Sequence, residues 1–261
     1  MLVRDRNDGT WDALLRPGRR LREGGRIRVA DDLAVVVLDS GPGVLRRVRV
    51  ESPEPVGTAL DRHGHVPLPP YIHREDRPED RERYQTIYAR EAGSVAAPTA
   101  GLHFTSTLRT RLAERGVGWT DLVLHVGPGT FRPVEVDQVE DHKVDAERFD
   151  VPLETADAIA TTRRAGRRVV AVGTTTTRVL ESVVAPGGRV RAGAGETDLV
   201  IVPGFGFRAV DALVTNFHLP RSSLLLLVSA FAGRERTLAA YAEAIREGYR
   251  FYSYGDAMLI L

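Results

Sequence analysis

The sequence predicts an α/β domain with a smaller antiparallel β-barrel-like domain at its N-terminus. Up to about residue 50, short apolar runs alternate with glycine- and proline-containing turns, as in small antiparallel barrels or sandwiches. Beyond residue 63, candidate helices alternate with short apolar strands, the pattern of an α/β fold. Residues 53–78 are rich in proline and mark a junction. We therefore place the two domains at residues 1–62 and 63–261.

The individual elements follow from periodicity, helix caps and turn residues. Strands of the first domain are predicted at residues 11–15, 26–29, 33–38 and 44–50. In the second domain, helices are predicted at residues 80–90, 106–115, 152–164, 175–184, 224–231 and 235–247. Its strands are predicted at residues 117–126, 168–172, 199–202 and 209–214, with an extended tail that ends at residue 260.

Composition excludes several classes of protein. The chain of 261 residues is 43% hydrophobic and can bury a proper core, but it contains no cysteine. Disulfides, thiolate metal sites and cysteine nucleophiles are thereby excluded. We expect no metal, because the loop histidines at positions 63, 65 and 73 match no zinc spacing. No apolar run is long enough to cross a bilayer and no signal-peptide pattern follows Met1, so we expect a cytoplasmic protein.

Residues 211–233 contain the most informative stretch of the chain. A short apolar strand runs into Asn216 and His218, and Ser222 then caps a helix that is apolar nearly all round, as a buried helix would be. In open α/β sheets, ligands bind beyond the carboxyl ends of the strands, so Asn216 and His218 are candidates for chemistry. The alternative is that both side chains only satisfy backbone groups of the loop.

Four further polar loops are expected at the same sheet edge. Small residues surround His103 in residues 93–105, and His125 opens a glycine-rich turn after a strand. The N-terminus of the helix predicted at residues 175–184 carries several hydroxyl groups and favours an anionic ligand. The alternative is an ordinary helix start that is capped by threonine. Two carboxylates in residues 193–198 could bind a ribose diol, take a proton or cap a loop. The last two loops supply Thr174, Thr175, Thr176, Arg178, Glu196 and Asp198.

An arginine-rich turn lies in the first domain. The net charge of +1 does not indicate a nucleic-acid-binding protein, so that any basic surface must come from local clustering. The turn could contact phosphates, or it could be an ordinary solvated loop. Its candidate contacts are Arg16, Arg19, Arg20 and Arg22.

Several long motifs resemble one enzyme family, the S-adenosylmethionine:tRNA ribosyltransferase-isomerases of queuosine biosynthesis. They are YQTIYAREAGSVAAPTAGLHFT, LHVGPGTFRPV, DHKVDAERFDVP, AVGTTTTRVLES, GETDLVIVPGFGF, VDALVTNFHLPRSSLLLLVSAFAG and YRFYSYGDAMLI. The resemblance extends from about residue 64 to the end, and WDALLRPGRRLREGGRI resembles the family more loosely. The family fold it implies is an α/β domain with a smaller β-barrel domain. Family members usually carry a further N-terminal segment of the α/β domain, which we expect to be absent here.

The resemblance implies a transferase that moves the ribosyl group of S-adenosylmethionine to 7-aminomethyl-7-deazaguanine in tRNA. Adenine and methionine leave, the sugar rearranges, and the product is epoxyqueuosine. S-adenosylmethionine is a co-substrate, and neither a prosthetic group nor a metal is expected. The expected catalytic residues are His218, His103, His125 and Glu196, and the expected co-substrate contacts are Thr174, Thr175, Thr176, Arg178, Asp198 and Asn216. A shortened, non-catalytic relative that binds tRNA or S-adenosylmethionine is the alternative, and we expect a monomer.

Overall fold

The computed structural model describes residues 1–15, 21–39, 45–69, 71–127, 134–136 and 138–261, without the side chain of Glu140. The chain divides into two compact units. The first consists of Met1–Pro78 with Ala92–Val95, and the second consists of Glu79–Glu91 with Ala96–Leu261.

The first unit contains a five-stranded antiparallel sheet. Val48 is fully buried and pairs with Trp11 in β2 and Val37 in β4. Because paired residues of adjacent strands lie on the same face, these three side chains share the buried face of the sheet. The predicted antiparallel sheet is thus confirmed, whereas the pairing among the described residues leaves β1 and β3 as edges and closes no barrel. In the order β1-β2-β5-β4-β3, the strands are β1 Leu2–Asp5, β2 Trp11–Leu14, β3 Arg26–Ala30, β4 Leu33–Val37 and β5 Leu45–Glu51.

A helix that the sequence analysis missed extends the first unit beyond residue 62. Helix α1, Val56–His63, places Ala59 in a buried cluster with Leu33 and Val50. The prolines on both sides of this segment led to its interpretation as irregular. Helix α1 therefore belongs to the same compact unit as the five-stranded sheet, and that unit runs to Pro78.

The second unit alternates helices and strands, as predicted. Thr105 and Ser222 cap two of the helices, and each accepts a hydrogen bond from a backbone amide three residues later. Two 3-10 helices cover Thr99–His103 and Val139–Asp141. The helices are α2 Asp80–Arg83, α3 Ser106–Glu114, α4 Leu153–Arg164, α5 Thr174–Val183, α6 Ser223–Ala232 and α7 Arg234–Arg246. The strands are β6 Val123–His125, β7 Glu147–Val151, β8 Val170–Val172, β9 Gly193–Thr197, β10 Ala212–Asn216 and β11 Ala257–Ile260.

These six strands form two separate three-stranded sheets. In the sheet β11-β10-β8, β8 and β10 are parallel and β11 is antiparallel to β10. The sheet β6-β7-β9 is antiparallel throughout. The sequence analysis had expected the polar loops of this unit to share one sheet edge. They do not, because they belong to two different sheets.

Strand β9 corrects the interpretation of residues 193–198 as a loop. Its backbone pairs with β7 from Glu147 opposite Thr197 to Val151 opposite Gly193. Gly195 lies opposite Phe149, and a Cβ atom at Gly195 would come within 2.8 Å of the Phe149 ring. The glycines that suggested a flexible loop are thus strand residues that leave room for an aromatic ring.

Other elements differ from their predicted extents. Residues 199–202 form no strand, and the carbonyl of Leu199 instead accepts a hydrogen bond from Nε of Arg178. The helix predicted at residues 80–90 ends at Arg83, and the strand predicted at residues 117–126 covers only Val123–His125. Helix α6 is buried at Leu227–Ser229, whereas Leu224–Leu226 stay partly exposed, so the helix is not buried all round.

A buried carboxylate connects α5 to the chain before β10. Glu181 accepts hydrogen bonds at 2.9–3.1 Å from the backbone amides of Arg208, Ala209 and Val210. Glu181 is only 2% exposed. Buried amides without hydrogen-bond partners are costly, so Glu181 stabilises the packing of residues 208–210 against the core.

We expect Glu181→Gln to lower the free energy of unfolding by about 2–3 kcal/mol, since the amide removes a charge and turns an N–H group toward other donors. Glu243→Gln is the matched control, because Glu243 lies on the surface of α7 in an exposed ion pair with Arg246. The control should change stability by less than about 0.5 kcal/mol. Urea unfolding measures both values, and equal losses would contradict a structural role for Glu181.

Candidate functional site

The candidate site lies where two parallel strands end. The chain leaves β8 through Gly173, whose φ of 97° is readily adopted by glycine, and enters α5 at Thr174. The amide of Gly173 donates to the carbonyl of Val214 in β10 at 2.8 Å. The start of α5 and the last residue of β10, Asn216, therefore share one edge, the position at which α/β proteins bind ligands.

The first turn of α5 can hold an anionic group. The helix has no side-chain cap, and the described residues offer no acceptor to the amides of Thr174 and Thr175. Thr177 bonds back to the carbonyl of Gly173 through both its amide and its hydroxyl. Free amides and the positive end of a helix dipole favour a carboxylate or a phosphate. Thr174 and Thr175 are buried, whereas Thr176 is partly exposed.

Asn216 is the centre of a hydrogen-bond network beside this helix start. Its side-chain Oδ1 accepts from the hydroxyl of Thr99 at 3.3 Å, and its Nδ2 donates to the carbonyl of Tyr252 at 3.1 Å. The same Nδ2 lies 3.0 Å from Nε2 of His103. Asn216 is only 2% exposed, and Tyr252 has an uncommon φ of 72° for a non-glycine residue. The 3-10 helix Thr99–His103 brings two members of the network together.

His103 is held in a partly buried position. Desolvation lowers the pKa of His103 below its ordinary value of 6.5, while the negative charge of Asp256 raises it in part. An imidazole with a lowered pKa is neutral at pH 7.

His218 lies on the other side of β10 from His103. Consecutive strand residues project to opposite faces, and Nε2 of His218 bonds to Thr215 Oγ1 at 2.7 Å, whereas His103 bonds to Asn216. The amide of His218 donates to the hydroxyl of Tyr241 at 2.7 Å. Although some of its surface is accessible, desolvation of the imidazole lowers the pKa of His218 to about 4. The two histidines therefore lie on opposite faces of the sheet, although their loops were expected at one sheet edge.

His125 and Glu196 lie on the other sheet of the unit, β6-β7-β9. Arg148 in the central strand pairs with His125 on one side and Glu196 on the other, so the three residues form a row on one face. Nδ1 of His125 is buried and has no hydrogen-bond partner among the described residues. Glu196 is exposed, as is Asp198, which follows β9.

Arg178, an expected co-substrate contact, has two protein partners. Its Nη1 lies 3.0 Å from Oε2 of Glu147, and its Nε donates to the carbonyl of Leu199. Desolvation raises the pKa of Glu147, and the charge of Arg178 opposes that rise. Both side chains are more than nine-tenths buried, so this ion pair connects α5 to β7 and leaves only Nη2 of Arg178 without a described partner.

The sequence analysis did not single out three members of these networks. Thr99 lies in the loop of small residues that was noted for His103, so its hydroxyl could have been considered. Tyr252 contributes a backbone carbonyl, which no sequence motif marks. Glu147 lies within the motif DHKVDAERFDVP but was not singled out, since its pairing with Arg178 joins residues that are 31 positions apart.

The expected tRNA contacts lie only partly within the described residues. Arg16, Arg19 and Arg20 lie outside them. Arg22 is exposed and has no ion pair with a described residue. Nearby, Arg26 pairs with Glu51 and Arg28 pairs with Asp31. Ion pairing thus offsets part of the positive charge of strand β3, which follows this turn.

Two general features of the described residues bear on function. None of their histidine, aspartate and glutamate side chains form a group of three or more that could hold a metal ion. None of the helices found in the described ranges combines the length and the apolar character needed to cross a membrane.

Known proteins resemble the chain over its whole length. A family described as queuosine biosynthesis protein matches residues 1–260. An S-adenosylmethionine:tRNA ribosyltransferase-isomerase of Heliobacterium modesticaldum is 51% identical over 263 residues, which cover 100% of this chain and 76% of that protein. A protein of the same name from Thiobacillus denitrificans is 53% identical and covers 99% of this chain and 75% of its own length.

A solved structure also resembles the chain. The crystal structure of an S-adenosylmethionine tRNA ribosyltransferase from Thermotoga maritima is 35% identical in sequence. The match covers 100% of this chain and 73% of the other, with a TM-score of 0.52. Together these comparisons confirm the resemblance inferred from the motifs.

The environment of His218 predicts a pH-dependent stability. Between its folded pKa of about 4 and its ordinary value of 6.5, the unfolded chain binds the proton and the folded chain does not. Stability should therefore fall as the pH falls from 6.5 to 4, by up to about 1.4 kcal/mol per pH unit from this residue. In His218→Gln this slope should be lost, as measured by urea unfolding over that range. Above pH 7 the two proteins should show parallel curves, and an unchanged slope below pH 6.5 would contradict the assignment.

Proposed function

The chain belongs to the family of queuosine biosynthesis proteins, and we propose that it acts as an S-adenosylmethionine:tRNA ribosyltransferase-isomerase. The reaction transfers the ribosyl group of S-adenosylmethionine to the aminomethyl nitrogen of 7-aminomethyl-7-deazaguanine in tRNA. The ribosyl group rearranges to an epoxycyclopentanediol, and adenine and methionine are released. The product in tRNA is epoxyqueuosine.

The observation that best supports this proposal is the edge shared by the start of α5 and Asn216. S-adenosylmethionine carries a carboxylate, and the free amides of Thr174 and Thr175 suit such a group. The hydroxyl groups of Thr174, Thr175 and Thr176 add further hydrogen-bonding capacity at the same place. We therefore place the methionine carboxylate of the co-substrate at this helix start.

Removal of the proton next to the sulfonium requires a general base. His218, His103, His125 and Glu196 are the proposed candidates, and the base is best served by a pKa near the working pH. The pKa of about 4 makes His218 a weak base, and Nε2 of His103 is already occupied by Asn216. Substituting each candidate separately identifies the base when turnover and its pH profile are measured together, because loss of a general base lowers turnover by about 10²–10⁴-fold and removes one limb of the pH–rate profile. We propose no metal for this step, since the sulfonium itself withdraws electrons.

The decisive experiment is incubation of the protein with S-adenosylmethionine and precursor tRNA, followed by mass analysis of the nucleosides. Formation of epoxyqueuosine together with free adenine and methionine is the expected result. Transfer RNA that carries guanine instead of the deazaguanine base is the control and should remain unmodified. Calorimetry with S-adenosylmethionine separates the alternative, because a non-catalytic relative would bind a substrate without forming the product.

The proposal also covers the cellular location, the oligomeric state and the cofactor requirement of the protein. We infer that the protein works in the cytoplasm, where its tRNA substrate is found, that it acts as a monomer, and that it uses S-adenosylmethionine as a co-substrate without a prosthetic group. Size measurement in solution and mass analysis of the native protein test the last two properties.

Replacing the hydroxyl groups at the start of α5 should weaken co-substrate binding. In Thr175→Val/Thr176→Val, we expect the Kd for S-adenosylmethionine to rise about tenfold, which corresponds to the loss of one or two hydrogen bonds. The melting temperature should change little, because the backbone amides and the side-chain volumes are retained. Calorimetry and thermal unfolding measure the two quantities.

Thr110→Val on the exposed face of α3 is the control for this pair, and it should leave the Kd unchanged. Loss of the fold together with binding would favour the interpretation of these threonines as structural residues of the helix start.

The arginine-rich turn should contact the tRNA backbone rather than the modified base. Binding of tRNA should weaken steeply with salt, and Arg19→Glu/Arg20→Glu/Arg22→Glu should reduce the slope by about one unit per lost phosphate contact. Affinity for S-adenosylmethionine should stay unchanged, because these arginines belong to the first unit, whereas the proposed co-substrate contacts belong to the second. Filter binding over a range of salt concentrations measures the slope.

A variant with the same change of charge serves as the control for tRNA binding. Arg234→Glu/Arg236→Glu/Arg246→Glu alters exposed positions of α7 and should retain more of the wild-type slope. If the two triple variants behave alike, the arginine-rich turn is only a solvated loop.

A further inference from the structure

The orientation of the Asn216 side-chain amide is determined by its neighbours. The carbonyl oxygen of Tyr252 can only accept a hydrogen bond, and it lies 3.1 Å from the nitrogen of the amide. A flipped amide would place two oxygen acceptors against each other in a buried position. The hydroxyl of Thr99 is compatible with the unflipped arrangement, because it donates to Oδ1. Nδ2 therefore faces both Tyr252 and His103.

This orientation determines the tautomer of His103. Nδ2 of Asn216 has two hydrogens, of which one bonds to Tyr252 and the other is directed to Nε2 of His103 at 3.0 Å. Nε2 must accept this hydrogen bond and cannot carry a proton itself. A neutral imidazole has one protonated nitrogen, so the proton of His103 lies on Nδ1.

We propose that Thr99, Asn216 and the carbonyl of Tyr252 form a positioning network that makes His103 a hydrogen-bond donor through Nδ1. Among the described residues, the ring of His103 bonds to Asn216 through Nε2 and has no partner at Nδ1. His103 is partly exposed, so a ligand can accept a hydrogen bond from Nδ1. Asn216 is then a positioning residue rather than a co-substrate contact, because both its amide hydrogens already have protein acceptors.

The surroundings of His103 keep this donor uncharged. Desolvation lowers its pKa, and the charge of Asp256, which itself pairs with Arg250 at 3.8 Å, opposes this shift only in part. A neutral imidazole that is already positioned can stabilise a developing negative charge by donating a hydrogen bond to it. It also differs from a general base, which needs an unprotonated nitrogen directed at the substrate.

The chemistry of the proposed co-substrate contains an acceptor of the right kind. This step depends on the proposed function, because it takes S-adenosylmethionine as the ligand. Its adenine leaves as the glycosidic carbon–nitrogen bond breaks, and the electron pair of that bond goes to the purine ring, which takes up a proton from solvent and is released as adenine. The electron pair freed by removal of the proton next to the sulfonium compensates the sugar as it rearranges. A hydrogen bond from Nδ1 of His103 to a purine ring nitrogen stabilises the charge on the purine ring. His103 therefore assists the departure of adenine, and the proton next to the sulfonium is removed by another residue.

Nitrogen-15 NMR of the histidine side chains tests the tautomer directly in the intact wild-type protein. Protonated and unprotonated imidazole nitrogens have well separated shifts, and His103→Gln identifies the His103 signals by their disappearance. We expect a protonated Nδ1 and an unprotonated Nε2 at pH 7. A protonated Nε2 would overturn the proposal, whatever the activity of the protein.

Asn216→Asp tests the role of the amide, because a carboxylate accepts where the amide donates. The proton should move to Nε2, and turnover should fall at least about 10²-fold, since a wrong tautomer costs up to about 10⁴-fold in serine proteases. Asn216→Ala, which adds no charge to the buried site, should allow the proton to occupy either nitrogen. Thr215→Val is the matched control on the opposite face of β10 and should leave the His103 signals unchanged. Wild-type signals in both Asn216 variants would contradict the positioning role.

Titration with ligand fragments tests the acceptor and separates this inference from the proposed function. Adenine and S-adenosylmethionine should shift the Nδ1–H signal of His103, whereas methionine should not. A shift with methionine alone, or no shift with adenine, would overturn the assignment of the purine as acceptor. If the tautomer and the adenine response are found but no epoxyqueuosine forms, the proposed function fails while the inference about His103 stands.

Discussion

The parallel pairing of β8 with β10 is the interaction on which the candidate site depends. It aligns Val172 with Val214, and the amide of the next residue, Gly173, continues the hydrogen bonding to the carbonyl of Val214. The positive φ of Gly173 then turns the chain directly into α5. A helix N-terminus and the end of a strand are thereby held at the same level, with their polar groups at one edge.

The buried polar residues of the second unit fall into two groups that differ in their partners. Glu181 and the Glu147–Arg178 pair are buried and bonded to protein partners, so they mainly hold elements together. Asn216 is equally buried, but its partners include the ring of His103, which remains partly exposed. A buried amide thus controls the state of a side chain that can meet a ligand, because its own hydrogen bonds admit one orientation.

The two histidines next to β10 show how alternation along a strand limits a site. Thr215 and Asn216 are neighbours in sequence, yet they project to opposite faces and bond to His218 and His103 respectively. His218 is surrounded by protein and has a strongly lowered pKa, whereas His103 is adjacent to the helix start of α5 through Asn216. Proximity in sequence to the strand end therefore did not indicate which histidine contacts Asn216.

Much of the architecture could be predicted because it follows from local patterns. The alternation of strands in the first unit, the cap at Ser222 and the helices after Pro152 and Gly173 all depend on nearby residues, and the structure has them within a few positions of the predictions. The glycines of β9 misled the prediction, since the ring that requires Gly195 belongs to Phe149, 46 positions away in the numbering of the chain.

The sequence by itself determined the family, the α/β character of the second unit, and the polar segments that contribute to the candidate site. Tertiary structure decided which of these segments meet: two sheets separate His125 and Glu196 from Asn216, and Arg178 is taken up by Glu147. It also decided the tautomer of His103, through a backbone carbonyl at Tyr252. The physical reason is that helix and strand patterns arise from neighbouring residues, whereas hydrogen-bond partners and strand order depend on contacts between residues far apart in the chain.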